Sequence, residues 1–221
     1  MSWCLGVLVS WCLLLVVCTS AGCGLEGSGA DAGVDDDESP YAVEVVRFEP
    51  GEGAGFGASA MPFVVLGPPK GQGLENGSRD VVSLGLGGVI ELRLGVDVSD
   101  GDGPDLLVFE NPFEWGNGQL FAEPGEVAVS ADGEEWRTFP CAPHDELPNG
   151  CAGYAPVFAN EERGLSATSP AEAGGDAFDL ADVGLERARF VRVTDRNEPG
   201  GLQGEPTAGF DLDAVAAVAR E

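Results

Sequence analysis

The chain has 221 residues, with 38 Asp or Glu against 11 Lys or Arg, for a formal net charge of −27. That balance excludes a nucleic-acid binder, whose affinity comes from clustered Lys and Arg neutralising phosphates, and it disfavours anionic membrane surfaces. It suits extracellular solubility and the binding of divalent cations, though acidity alone proves neither.

The N-terminus, MSWCLGVLVSWCLLLVVCTSAGCG, carries an apolar run from residue 3 to 18 that ends in small residues, the form of a secretory signal. It is shorter than the ~20 apolar residues of a membrane span. No Lys or Arg precedes it, which is atypical of such signals. The segment TSAGC resembles a bacterial lipobox, which implies a signal peptide over residues 1–22 and lipidation of Cys23 as the first residue of the mature chain. Ser20 departs from the apolar residue the pattern favours, so cleavage near Ala21 and a secreted product stay open. The stretch that follows, GLEGSGADAGVDDDESP, has almost nothing apolar to bury and predicts a flexible, self-repelling tether over 23–40. Residues 41–221 then suffice for one domain that buries ~70% of its unfolded surface.

Within the domain, alternation of apolar and polar residues recurs in short runs separated by Gly, Pro and Asp, the mark of antiparallel β structure. In chain order the predicted strands are YAVEVVRF, PFVVLG, DVVSLG, GVIELRLG and DLLVFE, then EVAVSADGEEWRTF as a hairpin turning at Asp132-Gly133, then RFVRVTD. In GVIELRLG, Ile90, Leu92 and Leu94 face one way and Glu91 and Arg93 the other, leaving one wet face. Trp136 is expected in the core. The last run, DLDAVAAVARE, fits either a helical stripe or a strand buried on both faces, and its context favours the strand. Many short strands joined by turns indicate an all-β, two-sheet antiparallel β-sandwich of jelly-roll type. The glycine run GEGAGFGASAMP is no dinucleotide loop, because a strand rather than a helix is expected after Pro62.

Of the six cysteines, Cys141 and Cys151 alone lie beyond the signal and lipobox, and in an exported protein they predict a disulfide. A metal-binding or catalytic thiol pair is the competing reading, weakened because His144 is the only histidine.

The stretch DGDGPDLLVFENPFEWGNG places Asp100, Asp102 and Asp105, with Asp97 just before, among glycines that let a loop present several oxygens to a calcium ion. The spacing is not that of an EF-hand, and by itself it leaves a calcium loop and a solvated turn equally open. Asp176, Asp179 and Asp182 recur at every third position in GGDAFDLADVG, and Asp211 and Asp213 flank Leu212 in GFDLDAV. Carboxylates alternating with apolar residues are partly buried and require a cation or hydrogen-bond donors.

Taken in order, VSLGLGGVIELRL, DGDGPDLLVFENPF, FAEPGEVAVSADGEEWRTFP, GGDAFDLADVGLERARFVRVTD and GFDLDAVAAV resemble a widespread family of bacterial cell-surface proteins and lipoproteins, over nearly the whole chain after the tether. VAVSADGEEW with the later ARFVRV is similar to discoidin-type, galactose-binding-like jelly rolls. The resemblance implies a sandwich with a structural Ca2+, held by Asp100, Asp102 and Asp105 and, less directly, Asp176 and Asp213. It also implies end loops that bind glycans or other ligands. It carries no catalytic residue.

Sugar rings stack on flat aromatic faces while polar neighbours take their hydroxyls. Trp115, Phe113 and Tyr154, with Glu110 and Asn111, are therefore the candidate ligand-binding residues, although the aromatics of NPFEWGNG read equally well as loop anchors. The expected function is a non-catalytic cell-surface or secreted module, at the outer membrane if Cys23 is lipidated. Its partner is an extracellular glycan or another extracellular ligand, and it meets the membrane only through its lipid anchor. The alternatives are a structural envelope or adhesion protein with a protein partner, and a glycoside hydrolase pairing Glu110 with Asp176 or Asp211.

Overall fold

The computed structural model describes residues 38–75, 78–115, 118–143, 145–147, 149–196 and 208–220. The chain divides into two units, and all of these residues belong to the second, Val34–Glu221. The expected signal peptide, Cys23 and most of the expected tether lie outside the described residues, as does His144.

The protein is an all-β sandwich. Its larger sheet contains β1 (Ala42–Glu49), β3 (Val89–Ser99), β7 (Gly125–Ser130), β8 (Arg137–Thr138) and β10 (Arg187–Asp195), in the order β1-β3-β10-β7-β8. Facing it are β12 (Ala214–Ala217), β4 (Leu106–Phe109) and β9 (Asp176–Phe178), in that order, beside the short pair β2 (Val82–Ser83) and β11 (Asp211–Leu212). A separate hairpin joins β5 (Phe113–Trp115) to β6 (Gln119–Phe121). All these pairings are antiparallel. β3, β7 and β10 lie in the larger sheet and β4, β9 and β12 in the facing one, so the chain crosses repeatedly between them as in a jelly roll, while β8 stays beside β7 and β5 and β6 pair with each other.

Alternation decides which side chains meet between the sheets. Ile90, Leu92 and Leu94 of β3, Val127 and Val129 of β7 and Val191 and Val193 of β10 are buried against Leu106, Val108, Phe178, Phe210, Leu212 and Val215. Each such side chain contributes about 1.5–3 kcal/mol through burial. The outer face of β3 is polar but closed, because Glu91 accepts from Arg47 at 3.1 Å and from Arg192 at 3.0 Å. Trp136 is a correction: it is half-buried on this outer face, 3.9 Å from the Arg192 guanidinium, where the hairpin turns it toward a cation rather than the core. The hairpin forms around Asp132-Gly133, but not as a tight turn: residues 131–136 connect β7 to β8, with Gly133 at φ 79°.

β12 is buried on both faces. Val215 and Ala217 join the inter-sheet core, while Ala214 and Ala216 pack with Leu107, Phe109 and Val157 in a second cluster, so the C-terminal run is a strand. PFVVLG is a second correction. After a cis Met61–Pro62 bond, Phe63–Val65 forms a 3-10 turn in which Val65 is buried and Phe63 remains 78% exposed. Cys141 and Cys151 form a disulfide with a Cα–Cα distance of 4.6 Å.

Candidate metal centre and ligand groove

The Asp-rich loop before β4 is organised by hydrogen bonds and an ion pair. Asp105 is buried, accepts from the Gly101 and Leu180 N–H groups at 3.1 and 2.8 Å, and pairs with the Arg220 guanidinium. Arg220 also donates to the Asp102 carbonyl, while the Asp100 and Asp102 side chains stay exposed. Asp179 accepts from the Ala181 N–H at 2.9 Å and so caps the 3-10 turn Leu180–Val183. Asp100, Asp105 and Asp179 present oxygens within 4.8 Å of one another, but Arg220 already supplies the positive charge beside Asp105. Asp97 faces Arg187 and Arg189.

The structure does not bring Asp176 and Asp213 to this loop. Both Asp213 oxygens accept from the Lys70 N–H at 3.0 Å, and burial pushes the carboxyl up to about 7. Asp176 accepts the successive N–H groups of Gly153, Tyr154 and Ala155 on Oδ2, yet burial still pushes it up to about 6.

A different set of carboxylates converges at the end of β4, where Glu110, Glu123 and Asp211 present oxygens within 4.8 Å of one another. Each is anchored locally. Glu110 accepts the Asp211 N–H, Glu123 Oε1 accepts the Gly209 N–H at 3.0 Å, and Asp211 Oδ1 accepts the Ser83 hydroxyl. Two glycines permit this close packing. At Gly153, φ 102°, a Cβ would lie 2.3 Å from the Glu123 carbonyl oxygen, and at Gly209, φ 84°, it would lie 2.6 Å from the Gly85 carbonyl carbon. Glu110 is 1% exposed, and its Oε2 has no hydrogen-bond partner. Burial first, then the charges of Asp211 and Glu123, push its carboxyl well above the usual range. Burial likewise pushes Asp211 up to about 6.

Of the candidate ligand-binding residues, Tyr154 alone lines the main groove, a space of about 640 Å³ between the disulfide segment and β9. Phe139, Leu147, Asn149, Phe178, Asp176 and Asp182 share its wall. Tyr154 is fixed by its hydroxyl, which donates to the Pro143 carbonyl at 3.2 Å. Phe113 stacks on Phe121 with ring centroids 4.9 Å apart, and Asn111 accepts the Ser78 N–H, so both serve the local fold. Trp115 lies in β5, and its side chain falls outside the described residues. Sequence reasoning missed Glu123 and the groove residues Phe139, Leu147 and Asn149, and read Asp182 only as a member of an acidic cluster. No protein-family model matches the chain, and no curated protein matches it.

Proposed function

We propose that the domain is a non-catalytic binding module of the cell surface or extracellular space that takes a glycan in the groove beside Tyr154. The observation that carries the reading is the groove's make-up, in which Tyr154 and the exposed Leu147 stand next to Asn149, Asp176 and Asp182, while Phe139 and Phe178 also line it but are only 3% and 6% exposed and belong to the core. A sugar ring has an apolar face and hydroxylated edges, so it calls for flat apolar surface with a few polar groups. The groove's size falls within the range typical of small-ligand sites. The disulfide fixes one wall by tying Cys141 to Cys151, which is itself a lining residue.

The carboxylate pairing needed for glycoside hydrolysis is disfavoured, because Glu110 is only 1% exposed, whereas a general acid has to reach the glycosidic oxygen. Export and anchoring through Cys23 belong to the same proposal and are tested by lipid labelling that is lost in Cys23→Ser. A glycan array probed with the full chain tests the binding claim. A hit that disappears in Tyr154→Ala and in Asp182→Asn supports it, and no hit, or a hit indifferent to both changes, removes it. The second reading, a protein partner in the envelope, is favoured by Leu147, which leaves 58% of its surface exposed at the groove.

A further inference from the structure

Glu110, Glu123 and Asp211 come from the end of β4, the segment before β7 and β11, so three distant parts of the chain deliver carboxylates to one point. Their main-chain and hydroxyl anchors hold them there, which differs from acidic side chains that merely share a surface. The independent sign of a missing partner is Glu110 Oε2. It is fully enclosed and accepts no hydrogen bond, a state that leaves a buried polar atom with an uncompensated desolvation cost. The neighbouring side chains whose charges bear most on Glu110 are Asp211, Glu123 and Asp176, all of them acidic. This is the opposite of Asp105, where Arg220 closes the account.

We infer that Glu110, Glu123 and Asp211 form a binding site for one hard divalent cation, calcium, with Glu110 Oε2 as a direct ligand. The donor set is all oxygen. Cys141 and Cys151 are consumed in the disulfide, and among the described residues neither a thiolate nor an imidazole contributes to the cluster, so zinc and copper are poorly served. Three carboxylates supply up to about six oxygens, and calcium accepts such crowded, flexible shells, completed by carbonyls or water, more readily than magnesium does. Asp211, the half-buried member, gives the ion a route from solvent. The inference stands apart from the glycan reading, because none of the three carboxylates lines the groove. Asp176 is the link between them, since it lines the groove and its charge acts on Glu110.

The test is calorimetric titration of the chelator-stripped full chain with calcium, magnesium and zinc, without any glycan, alongside melting scans. The expected result is one calcium per chain with a raised Tm, weaker binding of magnesium, and calcium affinity reduced ~10-fold or more in Glu110→Gln and in Asp211→Asn. In chelator, Glu110→Gln melts no lower than the wild type, because Gln is a neutral side chain of the same shape that adds no charge to the cluster and keeps an oxygen for the Asp211 N–H, so lost binding in that variant is separable from lost folding. Absence of calcium binding by the wild type overturns the inference. So does unchanged affinity in Glu110→Gln, or affinity that falls only in Asp100→Asn and Asp179→Asn.

Discussion

Replacing Arg220 by Met tests whether the Asp-rich loop is closed by a guanidinium. Met keeps much of the aliphatic stem and removes only the charge and its donors. Asp105 has 0% side-chain exposure and Arg220 40%, so the pair lies between two regimes. Exposed pairs contribute about 0–1 kcal/mol, whereas breaking a buried pair costs about 3–5 kcal/mol. The N–H groups of Gly101 and Leu180 continue to serve Asp105 in the variant, and water reaches the Arg220 side. Together these place the cost of Arg220→Met at about 2 kcal/mol. Urea unfolding at pH 7 in chelator measures it, and a cycle with Asp105→Asn isolates the coupling. A loss below about 0.5 kcal/mol, the range of an ordinary surface change, refutes the reasoning.

Asp176, Asp211 and Asp213 have folded pKa values raised to about 6, 6 and 7. Their contribution to stability is therefore fully present below the unfolded value near 4 and is lost as pH rises through 6 to 7. Melting scans of the metal-free protein from pH 4.5 to 8 should show Tm falling across that window, and a flat or rising profile contradicts the burial of these carboxyls. Reducing the Cys141–Cys151 bond removes a short covalent loop and should cost about 2–3 kcal/mol, read by urea unfolding with and without reductant. Gly153→Ala places a Cβ against the Glu123 carbonyl at a positive φ and should destabilise by more than 1 kcal/mol or so. Gly164→Ala, at φ 63° with open space around it, isolates the backbone cost alone and should be milder.

The larger sheet was legible where apolar and polar residues alternate. Ile90, Leu92 and Leu94 alternate with Glu91 and Arg93, and the structure buries the first three as that period requires. PFVVLG misled because an apolar run does not reveal how many of its members reach the core, and only Val65 is buried there. The carboxylate centre was obscured for a related reason. Asp100, Asp102 and Asp105 are close in sequence, whereas Glu110, Glu123 and Asp211 meet only once β4 and β11 are assembled at the same end of the sandwich. A local signal did exist for two of them. Glu110 ends the apolar run LLVF and Asp211 follows Phe210, and a charge set among buried side chains calls for a partner. Nothing comparable marks Glu123 in AEPGE, since its position depends on Gly153 and Gly209 packing around it.

The most direct measurement is a diffraction structure of the full chain grown in calcium, with anomalous data to identify the ion. The account predicts one calcium with oxygens of Glu110, Glu123 and Asp211 at about 2.3–2.6 Å, while Arg220 remains on Asp105. A site without an ion at saturating calcium, or calcium bound at Asp100 and Asp179 with Arg220 displaced, would contradict it.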